Sequence, residues 1–447
     1  MRLFGTDGIR GKVNHFPMDP ETVLKVGMAA ALALKRGHGR NTVLIGKDTR
    51  LSGYMIESAL TSGICAMGMN VNLVGPMPTP GVAFLTKTLR LDAGIVISAS
   101  HNPYADNGIK FFSGEGFKLP DEVEEKIERL IEDQEFGSRP VGAGIGRALR
   151  LEDARGRYIE YIKSTIPKGD TLEGIKVVVD CANGAAYRIT PSVLTELGAE
   201  IITLNDRPDG LNINEKCGSL SPDALRAAVR EHNAHAGIAH DGDADRTILI
   251  DEKGGMVDGD HMMGIWALDL KNEKRLKKNT VVATVMSNLG LEDYLGSRGI
   301  RMIRTKVGDR FVTEEMMRGG YVLGGEQSGH IVNLNLNTTG DGPITALHML
   351  HCMKKRGIPL SELKAPIPVY PQVLLNIAVS GRADLSQISG LDEFVKKSEK
   401  ELGGMGRILV RASGTEPKVR VMVEGKQEGP VNAVAERIAS FIREKMS

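Results

Sequence analysis

Apolar runs of five or six residues alternate along the chain with longer stretches of helical period, and three segments repeat one succession: apolar strand, loop, helix, glycine, second strand. They begin at Asn41 (NTVLIGKDTRLSGYMIESALTSGICAMGMNVNLVG), Gly174 (GIKVVVDCANGAAYRITPSVLTELGAEIITLN) and Asn279 (NTVVATVMSNLGLEDYLGSRGIRMIRTKVG). In each, a β-rich run such as Val177-Val178-Val179 precedes a helical stretch that ends near Gly68, Gly198 or Gly299. The succession predicts βαβ units, hence three tandem α/β domains with mixed, mostly parallel sheets. After about Pro366 the order changes to strand (373–378), helix (391–402), hairpin (408–424) and helix (431–445), which predicts a smaller C-terminal α+β domain. The expected boundaries are 1–152, 153–254, 255–366 and 367–447.

Local signals fill in this frame. Asp19-Pro20-Glu21 supplies a cap, a proline at the first helical position and an acidic first turn, with Gly37 closing that helix. Ser221-Pro222-Asp223 is expected to open a later helix in the same way. Residues 124–135 form a charged, solvated helix near the end of the first domain, and 137–150 a linker with some edge structure.

Composition narrows the function. A chain of 447 residues is long enough for three or four domains. Lys and Arg number 57 against 56 Asp and Glu, so no global field points to nucleic acid or a membrane surface. Aromatic residues are 4% of the chain, too few for broad base stacking. Cys65, Cys181, Cys217 and Cys352 lie far apart without a C-x-x-C pair, which argues against a zinc site or a disulfide framework. The start, MRLFGTDGIRG, lacks the apolar core of a signal peptide, and the apolar helical run near 26–34 is too short to span a bilayer. A cytoplasmic protein is expected.

Five stretches can carry chemistry. The first, SASHNP (98–103), follows the apolar strand 93–97 and delivers Ser100 and His101 onto a loop. Asn107-Gly108 reads as a tight turn just beyond it. Lys110 projects from the face opposite to Ile109 and Phe111. The second, Asp241-Gly242-Asp243-Ala244-Asp245-Arg246, joins strand-like runs 236–240 and 247–251. Small Gly242 and Ala244 let the chain curl, so the three carboxylates converge; they then repel unless a cation sits among them, and hard oxygen ligands suit Mg2+. A calcium loop of the EF-hand type is excluded, because Arg246 stands where that loop needs glycine and a strand follows. A solvated acidic turn is the competing reading, and placement at a strand end in an α/β unit weighs against it.

The third stretch, Gly324-Gly325-Glu326-Gln327-Ser328-Gly329-His330, puts Glu326 and Ser328 on one face between glycines, a pairing suited to sugar hydroxyls, although an ordinary turn fits this stretch equally well. In the fourth, Arg411-Ala412-Ser413-Gly414-Thr415-Glu416-Pro417 with Arg420 gathers two arginines, two hydroxyls and glycine amides between two strands, a pocket for phosphate. The fifth, Phe4-Gly5-Thr6-Asp7-Gly8-Ile9-Arg10-Gly11, sets glycines around a cation and alone says little.

In this order the five stretches resemble the α-D-phosphohexomutase superfamily, and the resemblance runs through all four expected domains. The LFGTDGIRGKVN start and GEQSGH are similar to the bacterial branch acting on glucosamine phosphates; phosphomannomutase and phosphoglucomutase relatives usually carry methionine at the place of Gln327. The resemblance implies four domains around a central cleft. It implies that Ser100 is a phosphoserine and that Asp241, Asp243 and Asp245 bind one Mg2+ together with a phosphoserine oxygen. Arg10, His101, Lys110 and Arg246 would surround the transferring phosphate. Glu326, Ser328 and His330 would meet the sugar, with Gly308 and Asp309 in the loop 307–310 that reads its orientation. Arg411, Ser413, Gly414, Thr415 and Arg420 would grip the phosphate that does not react. Ala412 replaces the proline of many relatives and Ser98 the threonine; neither touches the chemistry.

The implied reaction is interconversion of glucosamine 6-phosphate and glucosamine 1-phosphate through a bisphosphate that turns end over end, feeding UDP-N-acetylglucosamine synthesis. Glucosamine 1,6-bisphosphate or glucose 1,6-bisphosphate would be the activator. Phosphomannomutase or phosphoglucomutase activity is the alternative within the superfamily; a phosphatase and a non-catalytic sugar-phosphate sensor are the rivals outside it. Expected partners are small hexosamine phosphates, a second copy in a homodimer, and a kinase, or autophosphorylation, for the first loading of Ser100; neither nucleic acid nor membrane is expected. Hinge motion is expected near 364–370.

Overall fold

Runs of branched apolar residues set the strands, and the computed structural model describes residues 3–5, 7–35, 41–378, 385, 388–403, 406–412 and 418–446. The strands Thr42–Lys47 and Ala93–Ile97 are buried along their whole length, as expected for strands covered on both faces. The first sheet has seven strands in the order Phe4–Gly5, Gly8–Lys12, Asp106–Ser113, Ala93–Ile97, Thr42–Lys47, Asn70–Pro76, Ala148–Arg150. It is parallel through its crossovers and antiparallel toward the N-terminal strands. A five-stranded sheet built on Lys176–Asp180 and Ala236–His240 follows, then a four-stranded one built on Thr280–Thr284 and Leu323–Gly325. The three anticipated βαβ units are Thr42–Pro76, Lys176–Leu204 and Thr280–Thr305. Their helices stop where the chain enters the left-handed region at Gly68 (φ 79°), Gly198 (φ 89°) and Gly299 (φ 63°), which glycine adopts without penalty.

Several local expectations shift. Asp19 caps the helix Pro20–Leu34 by accepting the Thr22 amide at 2.9 Å; Gly37 lies outside the described residues. The helix after Ser221 begins at Asp223 with Pro222 as its cap residue, so Ser221 does not cap it. The charged helix is Asp121–Glu132, three residues earlier than its charge pattern indicated. It is not wholly solvated: Ile127 is buried, and Glu128 receives the Leu3 and Phe4 amides at 2.6 and 2.7 Å. The linker does supply edge structure, since Ala148–Arg150 adds the last strand to the first sheet.

The largest correction concerns Asn107-Gly108. Both residues lie inside the strand Asp106–Ser113, opposite Gly11 and Arg10; the turn is at Pro103–Asp106, where the Asp106 amide reaches the Pro103 carbonyl at 3.1 Å. Glycine is required at 108 by close approach, because a Cβ there would lie 2.6 Å from the Ser98 carbonyl oxygen.

Contacts gather the chain into two compact units, Met1–Met286 with Met302–Ala365, and Ser287–Arg301 with Pro366–Ser447. Helix Leu289–Ser297, from the third repeat, thus belongs to the second unit, tied there by the Leu289 amide to Glu424 Oε1 (3.0 Å) and by Asn288 to both the amide and the carbonyl of Tyr370. In the C-terminal sheet Lys418–Gly425 lies between Gln372–Ala378 and Gly406–Ala412, all antiparallel, with helix Glu428–Met446 against it. Val419, Val421, Val423, Val431, Ile438 and Ile442 form that core. Among the described residues no helix is long and apolar enough to cross a membrane.

Candidate active site

Strand ends place the site. Ser100 follows Ala93–Ile97, Asp241 follows Ala236–His240 and Glu326 follows Leu323–Gly325, all at carboxyl ends, where open α/β sheets bind ligands. Ser100 has φ 52° and is 1% exposed; its Oγ donates to Asp241 Oδ2 at 2.5 Å, across the boundary between the first and second domains. The close approach needs Gly242, whose added Cβ would lie 2.5 Å from the Ser100 carbonyl oxygen.

Asp241, Asp243 and Asp245 converge as the small intervening residues implied, with one carboxylate oxygen from each lying within 4.8 Å of the others. Ala244 makes the curl possible in the left-handed region (φ 54°). Burial and the neighbouring Asp245 and Asp243 push the Asp241 carboxyl well above its ordinary range. Asp243 Oδ1 and Asp245 Oδ1 are buried and accept no hydrogen bond, so the cluster has oxygen capacity directed inward. Buried, convergent carboxylate oxygens with spare lone pairs fit a hard divalent cation. Thr79, unrecognised in the sequence, donates to Asp243 Oδ2 at 2.6 Å.

Cations surround this acid. Lys110 Nζ lies 2.8 Å from Asp243 Oδ2, 3.2 Å from Asp245 Oδ2 and 3.4 Å from Asp7 Oδ2. Burial disfavours its charge, but Asp243, Asp245 and Asp7 outweigh burial and hold the ammonium well above its ordinary value. Arg246 donates from Nη1 to His101 Nδ1 at 2.9 Å, and His101 Nδ1 is 3.3 Å from Ser100 Oγ. Burial, then Arg246 and Arg10, lower the His101 pKa; because an arginine N–H only donates, Nδ1 is the acceptor of the Arg246 contact and the ring hydrogen is on Nε2. Arg10, on the strand paired with Asp106–Ser113, bonds Asp7 and keeps a buried Nε without a partner.

The third domain closes the other side. Lys118 bridges Asp7 Oδ1 (2.5 Å) and Asp309 Oδ2 (2.6 Å). His330, 2% exposed, lies 3.8 Å from Asp245 and 3.6 Å from Asp309, and takes the Gly340 amide at Nε2, which leaves its hydrogen on Nδ1 facing Asp245. Glu326 Oε1 accepts the Gly308 amide at 3.2 Å, while Ser328 is exposed. Asp7, Thr79 and Lys118 escaped the sequence reading; only Asp7 stood inside a motif, and nothing in the pattern pairs it with Lys118.

The C-terminal unit brings Arg411 and Arg420 directly opposite each other on neighbouring antiparallel strands. Burial and the Arg420 charge lower the Arg411 pKa. Like charges in this relation destabilise a sheet, and an anion between them removes the cost. Ser413, Gly414 and Thr415 lie outside the described residues.

Comparison with known proteins places the chain in a family. The chain matches the four phosphoglucomutase/phosphomannomutase domains: α/β/α domain I over residues 1–138, II over 156–255, III over 258–370 and the C-terminal domain over 374–441. It is 56% identical over 451 residues to the phosphoglucosamine mutase of Thermodesulfovibrio yellowstonii, covering all of both chains. Among solved structures it superposes with a TM-score of 0.82 on a phosphoglucomutase/phosphomannomutase family protein from Burkholderia thailandensis, at 22% identity over 98% of this chain and 97% of that one. It superposes with a TM-score of 0.67 on the N-acetylphosphoglucosamine mutase of Aspergillus fumigatus, solved with GlcNAc-6P and magnesium, at 17% identity over 100% and 96%. These two likenesses bear on the fold.

Proposed function

Because the chain belongs to the phosphoglucomutase/phosphomannomutase family, a phosphohexomutase family of isomerases, we propose that it interconverts glucosamine 6-phosphate and glucosamine 1-phosphate, with Ser100 as the phosphoryl carrier. The observation that carries the reading is the buried contact between Ser100 Oγ and Asp241, one of three convergent carboxylates. The glucosamine substrate rests on the full-length identity to a phosphoglucosamine mutase.

In this reading phospho-Ser100 gives its phosphoryl group to the free hydroxyl of the sugar phosphate. The Oγ–phosphorus bond breaks as the sugar oxygen–phosphorus bond forms, and the resulting 1,6-bisphosphate turns and returns its other phosphoryl to Ser100. A phosphoserine carries about −1.5 to −2 charges and would repel three aspartates. A Mg2+ held by Asp241, Asp243 and Asp245 would cancel that repulsion and draw charge from the phosphoryl oxygens. Lys110, on Asp243, and Arg246, on His101, add positive charge to the site, and Arg10 keeps a buried Nε without a partner that a phosphoryl oxygen could take. His101 can take the hydroxyl proton at Nδ1 only as Arg246 releases that nitrogen, whereas Lys110 is held as an ammonium. Glu326, Ser328 and His330, with Gly308 and Asp309, bind the sugar, and Arg411 and Arg420 with the loop 413–415 hold the phosphate that is not transferred.

The reading keeps four domains at 1–152, 153–254, 255–366 and 367–447, a cytoplasmic location, a homodimer, a sugar 1,6-bisphosphate activator, and first phosphorylation by a kinase or by the protein itself. It places a hinge in 364–370; the units divide between Ala365 and Pro366.

Initial rates with glucosamine, glucose and mannose 6-phosphates, each with a trace of bisphosphate, test the substrate. Glucosamine 6-phosphate is expected to turn over fastest; faster glucose or mannose phosphate would move the chain to another branch. Arg420→Ala is expected to raise KM by about 10–100-fold, the worth of one charge-assisted phosphate contact. An unchanged KM would remove this pair from phosphate binding.

A further inference from the structure

Two side chains outside the five motifs grip the same two carbonyl groups of the Ser100 loop, one from each domain. Arg50 is 0% exposed and directs Nη2 to the carbonyls of Ser100 (3.0 Å) and Asn102 (2.8 Å), and Nη1 to those of Asp106 (3.0 Å) and Pro103. Its Nε returns to Asp48 Oδ2 at 2.8 Å, and the same oxygen receives the Ser98 hydroxyl at 2.6 Å. The Ser98 oxygen in turn accepts the Ser100 amide at 2.9 Å. From the second domain, Asn214 Nδ2 reaches the Ser100 carbonyl at 2.9 Å and the Asn102 carbonyl at 3.2 Å.

Each carbonyl oxygen has two lone pairs, and here one donor from each domain takes one. The peptide planes after Ser100 and Asn102 are thereby fixed from both sides. Ser100 needs that support, because its left-handed backbone is one a serine rarely holds unaided. The metal-binding loop abuts the same clamp: a Cβ on Gly242 would lie 2.5 Å from the Ser100 oxygen and 2.9 Å from Asn214 Nδ2. Other bonds cross this boundary without touching the loop, among them Thr49 Oγ1 to the Asn183 carbonyl and the Leu51 amide to the Gly210 carbonyl at 2.9 Å.

We propose that Arg50 and Asn214 are positioning residues which together clamp the Ser100 loop and set the serine oxygen against the aspartates of the neighbouring domain. The inference rests on the reading of Ser100 as the phosphoryl carrier. Arg50 ties so many groups that its loss threatens folding, so Asn214 carries the test. Asn214 is itself left-handed (φ 58°), and Asn214→Gly tolerates that backbone while removing the side chain that carries Nδ2. Thr49→Val is the control, since it cuts a bond across the same boundary away from the loop.

The experiment measures single-turnover transfer from phospho-Ser100 to glucosamine 6-phosphate, KM, and amide hydrogen exchange over residues 98–106, in the full chain. Asn214→Gly is expected to slow transfer by about 100-fold, as for a misplacement of about 1 Å, with KM little changed. Exchange over 98–106 is expected to rise. Thr49→Val should lower the melting temperature and leave transfer and exchange as in the wild type. Transfer by Asn214→Gly that equals that of Thr49→Val, or unchanged exchange over 98–106, overturns the clamp. A wild-type protein that transfers nothing from Ser100 overturns the reaction instead, and the exchange measurement still decides the clamp.

Discussion

Ser100→Ala is expected to keep its fold and lose mutase activity by about 10⁴-fold or more, the scale seen when a covalent carrier is removed from a concerted site. The substitution deletes one hydroxyl whose hydrogen bond goes to Asp241. Its effect on stability is limited to about 1–3 kcal/mol, because the backbone grip of Arg50 and Asn214 does not involve the side chain. Circular dichroism and a melting curve check the fold, and a coupled assay checks turnover. Near-wild-type rates in this variant would remove the serine from the reaction.

The second large effect is expected for Asp243→Asn. The replacement keeps the shape and an acceptor for Thr79 but removes the charge that faces Lys110 at 2.8 Å. It also removes one of three convergent anionic oxygens. Affinity for Mg2+, measured by direct calorimetric titration, should fall by about 100-fold or more, and turnover at fixed Mg2+ by about 10³-fold. Chelation of divalent ions should likewise stop the wild type and be reversed by Mg2+. Unchanged affinity in Asp243→Asn would place the cation elsewhere.

How far the sequence discloses this site follows from what sequence pattern can encode. Alternation and strand ends locate Ser100, the three aspartates and Lys110, because these depend on local periodicity and on residues adjacent in the chain. The opposition of Arg411 and Arg420 follows from the hairpin register, also a local property. Asn107-Gly108 misleads because its composition suits a turn, while the strand Gly8–Lys12, about a hundred residues away, captures it in a sheet. Arg50, Thr79, Lys118 and Asn214 stay hidden for a related reason. Each acts through partners 50 to 191 residues distant, and nothing in its own neighbourhood marks it. The contacts of helix Leu289–Ser297 are hidden in the same way: the repeat shows it as part of a βαβ unit, but not that Asn288 bonds Tyr370 and the Leu289 amide bonds Glu424, 82 and 135 residues on.

The most direct test follows the phosphoryl group itself. Protein labelled with 32P on Ser100, verified by peptide mapping, is mixed with one equivalent of unlabelled glucosamine 6-phosphate and Mg2+ and quenched over time. Label passing from the protein into glucosamine 1,6-bisphosphate and then into sugar monophosphate is the expected result. Label that stays on Ser100 while product accumulates, or that leaves only as inorganic phosphate, would contradict a phosphoryl carrier at this position.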